Sequence, residues 1–355
     1  MSTPSLDFWS HPKGESATVE GAGDARRLGV ETFAGRVHVE WDPEAPVTPL
    51  GQLAFFIACV KAGALFEPWV EDCPLVSISP NAPKTRDVLG PLLLSVLAGR
   101  RRYAHITCVR SDGVNPGLLG MTKVVSEDAV RRALVRIDAA AGTAWLHRHL
   151  DYVWRPLLCE PWILDVDTTI KPIYGHQEGA VVGHNPKKPG RPAHVYHACM
   201  MAGLRLILDV GVEAGNRHSS KHAAPGLWAL LDRFGRDNWP ALIRGDADWG
   251  TENNLGRAER EGVPYLFKLR ATARVKRLIE KALDAAVWTP AGHGWQGKEA
   301  WLRLSGWSRQ RRVVILRRRL KQDLAVVGGD GDGAGGCWVS SRSPPTTHSA
   351  RRRCW

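Results

Sequence analysis

The sequence predicts a mixed α/β protein: a sheet with carboxylates at strand ends, preceded by a helical region and followed by a β-rich segment. Three observations predict it. Near Pro161 the spacing of apolar residues changes from three or four to two, the change expected where helices give way to strands. Asp167 and Asp246 each fall where a strand pattern stops, the second 79 residues after the first. From about Val287 to Val327, a segment that opens "VWTPAGHGWQGKEAWLRLSGWSRQRRVVILRRRL" alternates apolar with polar residues, as short strands do.

Taken in order, residues 1–24 are polar, glycine-rich and without period, and are expected to be disordered. Residues 25–158 read as a mainly helical region, with helical spacing from Pro49 to Leu158. Its clearest piece is "SEDAVRRALVRIDAAAGTAWLHRHLDYVW". Ser126 is the expected N-cap, Glu127 and Asp128 suit the first turn, and Val130, Leu134, Ile137, Trp145 and Leu146 form the apolar series. Gly142 is expected to bend or break the helix.

Residues 159–286 carry the central pattern. "WILDVDTT" reads as a strand and "GAVVGHNPKKPGRPAH" as a basic turn. "VYHACMMAG" and "LRLILDVGV" read as an antiparallel pair reversing near Ala202 and Gly203. "AAPGLWALLDRF" is an expected helix with Pro225 near its first turn and Leu227, Leu230, Leu231 and Phe234 inward. "PALIRGD" is a short strand ending on Asp246, "TENNLGRAERE" a polar helix, and "VPYLFKLR" the next strand. Strand, hairpin, helix, strand, helix, strand is the element order of a ribonuclease-H-like core. In "ARVKRLIEKALDAA" the spacing turns Val275, Leu278, Ile279 and Ala282 inward and Glu280 outward. Residues 287–327 are expected to form an incomplete β-rich insertion in which Val313–Leu316 is a buried strand. Residues 328–355 have no apolar period and are expected to be disordered, reading as an out-of-frame tail.

Composition narrows the class. With 44% hydrophobic and 24% charged residues the chain is that of a soluble globular protein. Seven cysteines are dispersed without a CxxC pair, which argues against a zinc ribbon or redox dithiol and suits reduced thiols in the cytoplasm. No signal peptide is visible at the N-terminus, and the longest apolar run, "LAFFIACV", is stopped by Lys61 long before it could cross a membrane. Lys plus Arg number 48 against 36 for Asp plus Glu, a net charge of +12 that favours nucleic acid as partner.

If the strands ending at Asp167 and Asp246 are neighbours, their carboxylates converge and repel. A divalent cation relieves that conflict, and hard oxygen donors suit Mg²⁺ or Mn²⁺. Two such ions about 4 Å apart serve phosphoryl transfer. Either aspartate alone is equally well a turn or cap residue; both together, in a basic chain with this element order, favour the metal. Lys187, Lys188 and Arg191, in a loop held extended by prolines, and Arg217 and Lys221 in "GNRHSSKH" are candidates to grip the DNA backbone. His176, Glu178, His184, His194 and His197 lack zinc-ligand spacing. Trp295, Trp301 and Trp307 are candidates for stacking on an extruded base, but Gly306 interrupts the strand that would align them, so packing is the simpler role.

"ILDVDTTIKPIYGHQEGAVVGHNPKKPGRPAH", "LRLILDVGVEAGN", "LWALLDRF", "LIRGDADWG" and "PYLFKLR" resemble, in one continuous order, the catalytic domain of DDE transposases of bacterial insertion sequences. The resemblance implies a ribonuclease-H-like fold with Asp167 and Asp246 as the first two catalytic, metal-holding acids and Asp165 deeper in the first strand. It implies hydrolysis at a transposon end and strand transfer through the freed 3′-OH. Double-stranded DNA is the implied partner, as terminal repeats and target, with a homodimer on DNA a further expectation. It also implies a β-rich insertion after the last core strand, and beyond it a glutamate in a Tyr-x2-Arg-x3-Glu-x6-Lys pattern. No tyrosine follows Tyr265, and neither Glu280 nor Glu299 carries that pattern. A truncated or frameshifted, catalytically defective copy is therefore expected. The rival readings are a non-catalytic DNA-binding remnant and a metal-dependent nuclease of the same fold.

Overall fold

A computed structural model describes residues 27–40, 50–77, 79–217, 219–284, 287–318 and 335–340. The chain forms two units, residues 1–149 and 150–355. The expectations of disorder for residues 1–24 and for most of 328–355 lie outside the described residues.

The first unit opens with a hairpin that the apolar spacing did not announce, β1 (Arg27–Thr32) and β2 (Gly35–Glu40). Its tight reversal places Gly35 at φ 123°, a conformation that favours glycine. The helices α1 (Leu53–Ala62), α2 (Glu67–Glu71), α3 (Thr85–Leu97), α4 (Ile106–Arg110), α5 (Asn115–Leu118) and α6 (Glu127–Leu134) come next. Val30, Ile57, Phe66, Val88, Leu94, Ile106, Val109, Leu119 and Val130 share one apolar core. Burying each such side chain stabilises the unit by about 1.5–3 kcal/mol. Asp87, buried on α3, accepts hydrogen bonds from the Thr122 backbone N–H at 2.8 Å and from the Thr122 hydroxyl. Ser126 caps α6 as expected, accepting from the Ala129 N–H at 3.4 Å.

The expected break at Gly142 falls earlier. The chain leaves helix after Leu134 and re-enters it at α7 (Ala139–Trp154), with Gly142 inside. Asp138 explains the position: its side chain accepts from the Ala141 N–H at 2.9 Å, a cap that starts a new helix. Trp145 is buried, stacking on Trp69 with ring centroids 5.2 Å apart, so its neighbour Leu146 is turned out to solvent rather than inward.

The second unit is built on a sheet of ten strands among the described residues. Its core strands are β3 (Ile163–Pro172), β5 (Pro192–Met201), β6 (Leu206–Ala214), β7 (Leu242–Gly245) and β8 (Tyr265–Lys268), with the two-residue β4 (Val181–Val182) beside β5. In space they run β6–β5–β3–β7–β8. β3, β7 and β8 are mutually parallel, and β5 is antiparallel to both β3 and β6. This third–second–first–fourth–fifth order of a mixed sheet is the ribonuclease-H-like arrangement the element order predicted.

The helices α8 (Ser219–Phe234), α9 (Glu252–Arg260) and α10 (Ala273–Leu283) accompany the sheet. Leu227, Leu230, Leu231 and Phe234 of α8 join Leu164, Val166, Met201, Leu208 and Ile243 of the sheet in one core. Trp154 and Trp162 close on the Phe234 ring at centroid distances of 4.2 and 5.8 Å. α8 starts earlier than expected, at Ser219, leaving Pro225 inside it. Ala223, in the added turn, is buried in the same core and ties that turn down.

Residues 287–318 do form strands, β9 (Thr289–Gly292), β10 (Trp295–Leu302) and β11 (Arg311–Arg318), but they extend the core sheet instead of standing apart. The link is β12 (Gly335–Ser340), antiparallel to both β8 and β11. This corrects the expectation that the whole of 328–355 is unpaired. β12 lies between two strands that would otherwise have free edges, and it buries Cys337 and Val339. Val313 and Ile315 are buried in β11 as predicted. The three tryptophans have different surroundings: Trp307 is buried, Trp301 is 64% exposed and Trp295 lies between those extremes. Among the described residues no helix is long and apolar enough to cross a membrane.

Candidate active site

Strand alternation puts Leu164 and Val166 of β3 into the core and Asp165 and Asp167 on the other face. The parallel register with β7 pairs Asp165 with Arg244 and Val166 with Gly245. One step further along both chains, Asp167 stands beside Asp246. The two pairs share the same sequence interval, 79 residues, because parallel strands advance together.

The first pair neutralises itself. Arg244 grips Asp165 through Nε and Nη2, both at 2.6 Å. Asp165 therefore serves to lock β3 to β7, and the signal for it was an arginine two residues before Asp246. The second pair has no such partner: among the described residues neither Asp167 nor Asp246 has an ion pair. Asp167 is exposed and Asp246 half-buried. Burial raises the Asp246 carboxyl above its ordinary value, aided by the charges of Asp248 and Asp167. A hydrogen bond from the Asp248 N–H and the charge of Arg270 oppose the rise without cancelling it.

The turn that carries Asp246 is well fixed. The Asp248 N–H donates to Asp246 Oδ1 at 2.9 Å, and the Trp249 N–H reaches the Asp246 carbonyl at 3.3 Å. The Trp249 ring is buried so close that a Cβ on Gly245 would lie 2.9 Å from it and from the Val166 side chain. Asp248 is itself ion-paired to Arg270.

Oxygen donors on two converging carboxylates, one of them raised for want of a counter-charge, fit a divalent cation. Glu280, on α10, is exposed, and among the described residues no group of three His, Cys, Asp or Glu side chains is placed to hold a metal. The histidine-rich stretch does not converge, since His194 and His197 alternate on opposite faces of β5. His194 Nε2 lies 2.8 Å from the Glu178 carbonyl, and His197 is buried against Thr168, ring nitrogen to hydroxyl 3.2 Å.

Among the expected DNA contacts, Lys187, Lys188, Arg191 and Arg217 are exposed and, among the described residues, without an ion pair. Lys221 lies in α8, its side chain outside the described residues. The loop of Lys187 and Lys188 is pinned by buried Asn185, whose Oδ1 accepts from the Lys188 N–H at 3.1 Å. Two glycines bring this loop beside Arg217. A Cβ on Gly183 would fall 1.9 Å from the Gly215 carbonyl oxygen, and one on Gly215 would fall 2.4 Å from that of Val181. Gly183→Ala is thus expected to lower stability by about 1–3 kcal/mol, because two backbones must part. Gly226→Ala, on the exposed side of α8 with nothing within 4 Å, is expected to raise it by up to about 1 kcal/mol. Urea midpoints of the two variants check this opposition of sign.

The family model described as transposase DDE domain group 1 matches residues 84–327. No curated protein matches the chain. Among solved structures, the chain is similar to the piggyBac transposase in its synaptic complex with hairpin DNA, at 13% identity and a TM-score of 0.36. That match covers 74% of this chain and 54% of the other, so the chain spans about half the length of the structure it matches.

Proposed function

Since the chain belongs to the family of DDE transposases, we propose that it acts on DNA, by metal-dependent hydrolysis and strand transfer at the ends of an insertion sequence. The observation that carries this reading is the juxtaposition of Asp167 and Asp246 at the β3–β7 edge, without a cationic partner among the described residues.

Asp167 and Asp246 would hold Mg²⁺ or Mn²⁺, and such an ion, when bound, supplies Lewis-acid polarisation of a phosphate oxygen. Two carboxylates leave most of the coordination shell of a hard cation to water and to phosphate, as is usual for magnesium at phosphate substrates. The chain's own residues do the rest. Asp165 and Arg244 fix the strands on which the two acids stand, and the Trp249 turn holds Asp246 in place. Lys187, Lys188, Arg191, Arg217 and Lys221 grip phosphates of double-stranded DNA, giving affinity but no sequence information. Residues 25–158 would contribute further to binding of the terminal repeats, and pairing of two ends would call for a homodimer. Free thiols such as Cys59 and Cys108 are in keeping with a cytoplasmic location.

The test is incubation of the full chain with a duplex carrying an insertion-sequence end, in Mg²⁺ or Mn²⁺. A nick at the end that disappears with chelator is the expected result. Binding without nicking in either ion would favour a non-catalytic DNA-binding protein, in line with the missing glutamate pattern. Cutting without preference for the end would favour a nuclease of the same fold.

A further inference from the structure

We infer that the β3–β5 ribbon carries a stacking site for an unpaired nucleotide, built on Tyr174 and flanked by Lys171 and Arg191. The inference rests on the DNA-processing reading above and adds to it a second contact away from the carboxylates.

Asp167, Thr169 and Lys171 lie on one face of β3, since side chains alternate. The antiparallel register sets Thr169 opposite Tyr196 and Lys171 opposite His194, which puts both rings on that same face. The Lys171 ammonium lies 5.9 Å from the Tyr196 ring centroid, and the His194 ring meets Tyr196 edge-on at 6.4 Å. Just past the strand, the Arg191 guanidinium covers the Tyr174 ring at 4.7 Å, while Tyr174 is 69% exposed. A large ring backed by a cation and otherwise open to solvent offers a π-face to a base and a positive charge to the phosphate beside it.

The charge around this ring selects the occupant. Among the described residues no carboxylate lies within ion-pairing distance of Lys171, Lys187, Lys188 or Arg191. Four unpaired cations interleaved with aromatic rings suit a polyanion with flat faces and do not suit an apolar surface. Lys171 follows Asp167 by four residues, about 13 Å along a strand, or roughly four base steps of B-form DNA. A DNA strand whose scissile phosphate sits at the carboxylates therefore reaches Tyr174 a few nucleotides away. A base there stacks only if it has left the duplex, because paired bases hide their faces.

The experiment compares two probes at low salt: a fully paired duplex, and the same duplex with four unpaired nucleotides at one end. The wild-type chain is expected to bind the splayed probe more tightly. Tyr174→Ala should remove that advantage, roughly a 5- to 150-fold loss for one stacked base, and leave the paired duplex unaffected. Tyr174→Phe and Tyr174→Trp should keep it, which a role for the hydroxyl would not allow. Lys171→Ala and Arg191→Ala should each reduce the slope of log affinity against log salt on the splayed probe by about 0.7. Equal weakening of both probes by Tyr174→Ala, or of neither, overturns the stacking site while leaving the transposase reading intact, because the paired duplex still binds. Failure of the wild-type chain to bind either probe overturns both.

Discussion

Asp246→Asn is expected to abolish the stabilisation of the protein by Mg²⁺ or Mn²⁺ and to cut metal-dependent DNA cleavage by about 10³-fold, the scale of several kcal/mol of Lewis-acid assistance. Two readouts are needed because binding and cleavage fail separately. A ligand at 100 times its dissociation constant stabilises a fold by about 2.7 kcal/mol, so loss of the site shows as a vanished shift in thermal midpoint. In the metal-free protein the same substitution acts the other way. The Asp246 carboxyl is raised by burial and by the charges of Asp248 and Asp167, so its ionised form weighs against folding once pH passes the unfolded value. That penalty is complete above the raised folded value and fades as pH falls below the unfolded one. At pH 7 the asparagine variant should therefore be at least as stable as wild type without metal, and less stable with it.

Proton linkage gives an independent check. A metal bound by Asp246 must displace its proton, so affinity should fall as pH drops through the raised value, with proton uptake on metal release. Asp167→Asn should reproduce the loss of binding. Asp165→Asn should not: its carboxylate is already held by Arg244 at 2.6 Å, so the variant is expected to lose stability while keeping the metal shift. Should Asp165→Asn abolish the metal shift and Asp246→Asn preserve it, the proposed pairing of acids is wrong.

The reasons some of this was legible in the sequence are local ones. A strand read from Ile163, Leu164 and Val166 fixes by its period of two which face Asp165 and Asp167 occupy. The shared 79-residue interval then places Asp167 beside Asp246 once β3 and β7 are taken as parallel neighbours. Apolar spacing likewise identified the inward side of α8. The features that escaped depend on partners distant in the chain. "GGCWVS" has too few apolar residues to declare itself a strand, and becomes one because β8 and β11 offer it two edges. Leu28 and Val30 opposite Val37 and Val39 did alternate in the hairpin, a short signal lost between polar segments. The break before α7 was misplaced because Gly142 was weighed by its low helix propensity, whereas the cap at Asp138 decides where the helix starts.

Arg311→Ala is expected to cost about 3–5 kcal/mol, a large share of the 5–15 kcal/mol typical of a whole domain. The Arg311 side chain is 4% exposed at the start of β11 and bridges two carboxylates of α9. Nη1 and Nη2 reach Glu252 at 2.6 and 3.2 Å; Nε and Nη2 reach Glu259 at 2.8 and 2.9 Å. Glu252 and Glu259 stand two helical turns apart and so share a face of α9. Tyr265 donates to Glu259 at 2.8 Å, Arg309 pairs with it, and the Trp307 ring lies 5.3 Å from the Arg311 guanidinium. Truncation leaves two carboxylates facing a cavity without their cation. Arg311→Lys should recover only part of the loss, because one ammonium cannot bridge both acids in bidentate fashion.

The pH dependence identifies the mechanism. Hydrogen bonds from Arg311 and Ser308 bring Glu252 down to about 2; burial opposes the shift at Glu259, but bonds from Arg311, Tyr265 and Arg309 bring it to about 2 as well. Both values are depressed on folding, so this stabilisation is present above the unfolded carboxylate range and is lost as pH falls from there toward about 2. Between pH 7 and about pH 3 the urea midpoint of wild type should therefore drop further than that of Arg311→Ala. Parallel pH profiles for the two proteins, or a change at pH 7 below about 1 kcal/mol, would mean that β11 is held to α9 by its apolar contacts alone. With the cluster intact, the helix that comes after the Asp246 turn is tied to the far strands of the sheet, which links the stability of the extension to the fixity of the site.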